Sequence, residues 1–178
     1  AVRGAIPQAK AQIFYVAGSI EIGGTITGVD VLKEAEFFNF NNYIVDATAA
    51  DLKNSENGIL LGIGIAKKMS LVIGDRVQIS TIKGELFPLK IVGFYQSGLA
   101  DLDNIQSYVN IKTVQRILGE PINYITDINV KLYDIEQAIP LAEKIEKQFE
   151  CELPLEVKAI ISEIINLDVL TLKHYYAD

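Results

Sequence analysis

The chain has 178 residues, of which 49% are apolar, and a formal net charge of −7. A chain of this length can bury about 70% of the surface that it exposes when unfolded, so it can build a core without a disulfide or a metal. The acidic balance and the lack of any run of Lys or Arg argue against nucleic acid or anionic lipid as a partner. The longest apolar run, residues 58–66, is much shorter than the roughly 20 residues that cross a bilayer.

Two β-type runs open the chain. Residues 9–22 are rich in β-branched and aromatic side chains, which favours a strand, and residues 25–29 resume the same pattern. Gly23 and Gly24 separate the two runs. Because glycine accepts the positive φ angles of tight turns, this pair predicts a hairpin that turns at Gly23-Gly24.

In the middle of the chain, turn and capping residues mark the limits of the elements more clearly. The predicted elements are, in order, a helix at 31–38, irregular chain at 39–57, a buried strand at 59–61, a helix at 63–69, strands at 76–82 and 86–95, a strand at 107–109 and a helix at 111–118. Lys67 and Lys68 suit the negative end of a helix dipole. Lys83-Gly84 predicts the turn of a second hairpin, and Asn110 is a suitable N-cap for the helix that follows it.

The last third alternates strand and helix patterns. We predict a half-buried strand at 125–132, a helix from 134 to 149, an edge strand at 153–157 and a final helix from 160 onward. Asp134 followed by Gln137 fits a capping box. Pro140 is expected to kink the helix or to delay its start.

The sequence offers few catalytic groups. His174 has no second ligand at helical spacing, and Cys151, the one cysteine, has no histidine near it and cannot form an internal disulfide. Asp101 and Asp103 resemble the start of a calcium loop, but the loop glycine and the closing glutamate are missing. Gly62-Ile63-Gly64 lacks the rest of a nucleotide-binding motif, so it is interpreted as a packing or turn element. We therefore predict that the domain is not an enzyme and binds no cofactor and no metal.

Four stretches occur in a recognisable order. They are Thr27-Gly28-Val29-Asp30, the run from Ile59 to Val77 that contains Gly62, Ala66 and Gly74-Asp75, residues 91–98 together with 108–118, and residues 128–145. Together they resemble the extracytoplasmic core domain of ABC-transporter permeases of the MacB/LolC/LolE type. The resemblance covers residues 9–148.

This resemblance implies a two-part α+β domain. A βαβ-type membrane-proximal subdomain would comprise residues 1–33 and 122–178, and a smaller α/β subdomain, residues 34–121, would be inserted between them. The domain would lie outside the cytoplasm, between the first two spans of a permease in the cell membrane, and the chain would be an excised piece of that permease. Its implied partners are a cytoplasmic ABC ATPase subunit or domain, a second permease copy or a paralogue, and an extracytoplasmic partner protein, with no nucleic acid.

The sequence differs from the lipoprotein-releasing members of this family in one loop. Lipoprotein-releasing members recruit a periplasmic chaperone through a long loop between strands of the inserted subdomain. Here the corresponding strands join through Lys83-Gly84, so recruitment of that kind is not expected.

The leading hypothesis is that the domain transmits ATPase-driven motion to an extracytoplasmic substrate or partner, in export or lipoprotein release. An exposed, acidic, glycine-containing loop is the predicted partner contact, with an ordinary solvated connection as the alternative. Its residues are Gln96, Ser97, Gly98, Asp101, Asp103 and Asn104.

Two other functions stay open at this stage. The domain could be a stand-alone ligand- or peptide-binding module whose groove is lined by Phe37, Phe38, Phe40 and Tyr43, unless these side chains form a core cluster. It could also be a hydrolase built on a pair of carboxylates that the sequence does not bring together.

Overall fold

The computed structural model describes residues 2–152. Residues Gly4–Lys131 form one compact unit. The second unit contains, among the described residues, the end of the last strand and the helices that follow it. The predicted strand at 153–157, the predicted helix from 160 onward and His174 lie outside the described residues.

Both strands and helices occur along residues 2–152, which confirms a mixed α+β class. The strands are β1 (Val2–Ala17), β2 (Ile20–Val29), β3 (Ile44–Val45), β4 (Gly58–Gly62), β5 (Arg76–Ser80), β6 (Leu86–Tyr95), β7 (Gln106–Asn110) and β8 (Asp127–Leu132). The α-helices are α1 (Val31–Phe38), α2 (Ala49–Asn54), α3 (Ile63–Met69), α4 (Ala100–Asp103), α5 (Ile111–Leu118) and α6 (Ala138–Glu152). Short 3₁₀ helices cover Phe40–Tyr43 and Ile135–Gln137. The predicted division into subdomains at 33/34 and 121/122 stays a prediction.

Six strands pair in a closed ring. The order is β1-β2-β7-β4-β6-β5, and β5 pairs again with β1. β2 runs parallel to β7 and β4 runs parallel to β6, whereas β1 is antiparallel to both of its ring neighbours. β8 pairs with β1 outside the ring, and β3 pairs with the end of β6. Each ring strand therefore has a partner on both sides.

Every ring strand contributes to one hydrophobic core. Its buried side chains include Ile13, Ile26, Leu61, Ile79, Ile91 and Val109, together with Ile65 and Ala66 of α3 and Val114 and Ile117 of α5. Successive side chains of a strand point to opposite faces. Leu61 accordingly joins this core, while Leu60 joins a second cluster with Phe40, Leu52 and Tyr95. β4 is thus buried on both faces, as its uniformly apolar sequence predicts.

The first hairpin does not turn where the sequence predicted. Gly18-Ser19 forms the turn, with Gly18 at a φ of +59°, while Gly23 and Gly24 lie inside β2. Gly24 serves a different purpose. A Cβ at this position would lie well under 3.0 Å from the carbonyl oxygen of Ile105, so its glycine permits a close backbone approach.

Two further local predictions were wrong. Residues 39–57 were predicted to be irregular, but they contain a 3₁₀ helix, β3 and α2, whose N-terminus has a capping box between Thr48 and Asp51. Asn110 stands at the N-cap position of α5 without capping it. Its side-chain amide instead donates to the carbonyl oxygens of Leu52 (2.9 Å) and Ser55 (3.1 Å).

The region from β8 to α6 also departs from expectation. Ile128 and Val130, on the strand face that was predicted to be buried, are 58% and 38% exposed. α6 begins at Ala138, two residues before Pro140. The missing N–H of Pro140 falls in the first turn, where N–H groups have no partner within the helix, so the proline does not delay the start.

Candidate functional site

The predicted contact loop connects β6 to β7 and includes the short helix α4. Because β4 lies between these strands in the ring, the loop crosses the end of β4. Hydrogen bonds hold both ends of the loop: the Gln96 N–H donates to the Tyr43 carbonyl, and the Thr25 N–H donates to the Ile105 carbonyl, each at 2.8 Å. The loop is therefore tied to the 3₁₀ helix at one end and to β2 at the other.

A buried carboxylate organises the interior of the loop. Asp103 is only 7% exposed. Its Oδ1 accepts from the backbone N–H of Ser97 (2.7 Å) and from the Ser97 hydroxyl (2.8 Å), and its Oδ2 accepts from the Gly98 N–H (3.3 Å). Asp103 therefore shapes the loop and does not present its charge to solvent.

Two glycines lie directly under the loop. A Cβ at Gly62 would lie 2.6 Å from the Asp103 carbonyl oxygen, and a Cβ at Gly64 would lie 2.9 Å from the same atom. The Gly64 position also abuts the side-chain amide of Asn104. Gly62-Ile63-Gly64 is thus a packing element, as interpreted from the sequence, and it allows α3 and the loop to approach each other closely.

The outer surface of the loop differs from the acidic surface that was predicted. Of the six predicted contact residues, Gln96, Gly98 and Asp101 are exposed, Ser97 and Asn104 are half-buried, and Asp103 is buried. The sequence reasoning missed three apolar side chains, Leu99, Leu102 and Ile105, which are 54%, 37% and 42% exposed. Their spacing of three residues is a signal for a common helical face, but the sequence does not tell whether that face points inward or outward.

Two cations lie on α3, about one turn beyond the residue that contacts the loop. Gly64 of α3 contacts the loop, and residues three and four positions further along a helix share its face. These residues are Lys67 and Lys68, both exposed. Neither lysine takes part in the ion pairs of the described part of the chain.

The aromatic stretch does not form a groove at Phe40. The Phe40 ring is 5% exposed and packs edge-on against the Tyr108 ring, with 4.9 Å between centroids. Tyr95 and Tyr108 lie 4.6 Å apart, and burial raises the pKa of both phenols. For Phe40 the core-cluster alternative is confirmed. Tyr43, at 40% exposure, stays at the rim of the cluster.

Glu34 of α1 is a buried carboxyl outside the loop. It is 5% exposed, and the Gln8 side-chain amide donates to its Oε1 at 2.5 Å. Burial raises the pKa of Glu34. Within residues 2–148, whose side chains the structure describes, no three His, Cys, Asp or Glu side chains come together as a metal site would require. The hydrogen bond to Gln8 fastens α1 to β1, which is a structural role.

An open hollow on another face has a volume of about 470 Å³ and is lined by Asp46, Asp51, Asn54, Ser55, Lys90 and Val92. The Asp51 carboxylate already accepts from the Thr48 N–H and hydroxyl, each at 2.7 Å. These bonds lower the pKa of Asp51. The carboxylate thus completes the capping box at the start of α2.

The chain matches the family model of the MacB-like periplasmic core domain over residues 2–148. It belongs to this family, which confirms the resemblance drawn from the four stretches. None of the helices in residues 2–152 is long and apolar enough to cross a membrane. No curated protein matches the chain in sequence.

Three solved structures share the fold. The extracellular domain of the noncanonic ABC-type transporter YknZ from Gram-positive bacteria has a TM-score of 0.56 and 15% identity, over 79% of this chain and 71% of that one. The periplasmic region of MacB from Actinobacillus actinomycetemcomitans has a TM-score of 0.56 and 14% identity, over 84% and 67%. A domain of a permease protein from Porphyromonas gingivalis has a TM-score of 0.52 and 14% identity, over 88% and 67%.

Proposed function

We propose that this chain is the extracytoplasmic domain of an ABC-transporter permease and transmits ATPase-driven motion to an extracytoplasmic substrate or partner. The family match over residues 2–148 carries the proposal. Domains of the same fold come from MacB and from the ABC-type transporter YknZ. In the cell the domain would act together with a cytoplasmic ABC ATPase and with a second permease copy or a paralogue.

The closed ring of strands supports a mechanical role. Each ring strand is hydrogen-bonded on both sides, and all five residues of β4 are buried. Close-packed interiors have low compressibility and transmit strain. A displacement applied to one end of the ring would therefore move the other end with it. The proposed division into residues 1–33 with 122–178 and the insertion 34–121 places ring strands in both parts.

The proposal does not name one class of transported substrate. Thr81 and Gly84 close the β5–β6 hairpin as a tight turn, with the Gly84 N–H donating to the Thr81 carbonyl at 2.9 Å. A turn of this size offers no long loop for a chaperone. We therefore propose a permease that acts in export or in lipoprotein release without chaperone recruitment by such a loop.

Spin labels in the full-length permease test the transmission of motion. Asp101 is exposed on the contact loop, so Asp101→Cys in a permease whose other cysteines, Cys151 among them, are replaced by serine places one label on each domain. We expect the distance between the two labels to change when the permease, assembled with its ATPase, binds ATP. The control is the same assembly with an ATPase that cannot bind nucleotide. An unchanged distance in every nucleotide state would overturn the mechanical proposal.

A further inference from the structure

We infer that the loop surface, defined as Leu99, Leu102 and Ile105 with the neighbouring Lys67 and Lys68, binds an extracytoplasmic protein whose own contact surface is apolar and flanked by carboxylates. The inference rests on the proposed function and gives the chemistry of the partner.

The apolar part of the surface is ordered before any partner binds. Asp103 holds Ser97 and Gly98 from inside the loop, and Gly62 and Gly64 support α4 from below. Leu99, Leu102 and Ile105 remain 37–54% exposed on this fixed backbone. Binding to a preorganised loop sacrifices little conformational entropy, which favours use of the loop as an interface.

The charges beside the loop select the partner. Lys67 and Lys68 are exposed and take no part in the ion pairs of the described residues, whereas Asp101 is the one exposed carboxylate in residues 96–105. The exposed charges of this patch therefore sum to +1, above the buried Asp103 carboxylate, on a chain whose net charge is −7. Complementary charge at the rim of an interface steers association and orients the partner. A partner with carboxylates around an apolar centre matches this arrangement.

A lipid membrane is a less suitable partner for the loop surface than a protein is. The contact loop joins β2 at Thr25, which pairs with Gln12 of β1, so this end of the loop lies roughly 25 Å along β1 from Gly4. The anionic lipids that attract cations belong mainly to the cytoplasmic leaflet, and two lysines form a weak lipid anchor on an acidic chain. A second copy of the chain also matches poorly, because a two-fold interface would bring the Lys67 and Lys68 pairs of both copies together.

Two matched peptides provide the probe. One is a synthetic helix with leucines on one face and glutamates beside them, and the other has lysines in place of the glutamates. Each is titrated into the ¹⁵N-labelled 178-residue chain while amide resonances are followed. We expect the glutamate peptide to shift the amides of residues 67–68 and 97–105. The lysine peptide should bind at least about fivefold more weakly, because it loses two exposed ion pairs.

Surface variants assign the effect to these side chains. Leu99→Ser with Leu102→Ser is expected to abolish binding of the glutamate peptide, and Lys67→Glu with Lys68→Glu to reverse the preference between the peptides. Ile82→Ser, at the tip of the β5–β6 hairpin and 87% exposed, is the control and should bind as the parent chain does. Thermal melts establish that each variant is folded.

Three outcomes would overturn the inference. They are equal binding of the two peptides, binding of phosphatidylglycerol vesicles through the loop without peptide binding, and self-association of the chain that the leucine variant removes. If the distance between the spin labels changes with ATP but the loop does not bind the glutamate peptide, this inference alone is refuted. Peptide binding without label movement would instead refute the proposed mechanical function.

Discussion

Gly23 and Gly24 are neighbours in β2 but have different surroundings. A Cβ at Gly23 would meet the Phe14 ring at an ordinary 3.6 Å, whereas a Cβ at Gly24 would overlap the Ile105 carbonyl and the Tyr15 ring. We therefore expect Gly24→Ala to lower the free energy of unfolding by about 2–3 kcal/mol, as overpacking does. Gly23→Ala should change it by less than about 0.5 kcal/mol. Urea denaturation measures both, and equal losses would show that the close approach is not real.

The pH dependence of stability tests the environment of Glu34. Burial raises its pKa, and the smaller effects of the Gln8 hydrogen bond and of Lys10 oppose the shift. A raised pKa in the folded state means that the fold is favoured below the ordinary pKa of about 4.3 and loses stability as the pH rises through the raised value. Glu34→Gln removes this loss. We expect the variant to melt at a higher temperature than the parent chain at pH 7.

The gain from Glu34→Gln should disappear as the pH approaches 4, since the glutamic acid of the parent chain is then neutral too. Glu36→Gln, on the exposed part of the same helix, is the control and should shift the melting temperature little at either pH. A gain that is the same at both pH values would mean that ionisation of Glu34 is not its cause.

At this scale the sequence revealed residue types but not their surroundings. Gly23-Gly24 has the composition of a turn, and only the position of Ile105, far along the chain, gives Gly24 its actual role. The same limit applies to Leu99 and Leu102. Their spacing is visible in the sequence, but their exposure depends on Asp103, which turns inward and occupies the interior of the loop.

The conformation of the contact loop depends on one residue, Asp103. Asp103→Ala leaves the N–H groups of Ser97 and Gly98 without their acceptor, which should cost about 1–3 kcal/mol. We expect faster hydrogen exchange at the Ser97 amide together with this loss. Asp101→Ala removes an exposed carboxylate two residues away and should change stability by less than about 0.5 kcal/mol. Unchanged exchange at Ser97 in the Asp103 variant would contradict the assigned hydrogen bonds.

Elements with local signals were predicted well. The bounds of α1, α5 and β6 agree with the sequence prediction, because a strand or helix pattern fills each one and a cap or a turn residue marks its limits. α2 was missed although Thr48 and Asp51 form a capping box, since a six-residue helix is too short to show periodicity. Asn110 was misinterpreted because two carbonyl groups near α2, distant in sequence, compete for its amide.

The ring of strands makes the whole unit depend on contacts between distant residues. β2 pairs with β7, which follows it by almost half of the chain, and β7 also closes the ring against β4. We expect residues 4–131, the compact unit, to unfold cooperatively when expressed alone. Residues 4–105, which lack β7, should give no cooperative transition in thermal circular dichroism. A sharp transition in the shorter fragment would mean that ring closure is not required for folding.

This level of organisation was the least accessible to residue-by-residue reasoning. Alternation and turn residues predict strands, but they do not state that Thr25 pairs with Gln106 or that β1 lies between β2 and β5. The family was recognised because four short stretches keep their order along the chain. Which strands lie next to each other depends on tertiary packing, and the order of these stretches does not reveal it.

The long first strand also determines how the domain would respond to a pull. β1 is paired with β2 at ten positions, from Gln8 to Ala17, and with β5 at three of the same residues. A force that enters at Gly4 along β1 would load these hydrogen bonds in shear, so that many must yield together. A force across the strand would instead open them one at a time. The domain should therefore be stiff along β1 and weaker across it, which gives the molecule a preferred direction for bearing tension.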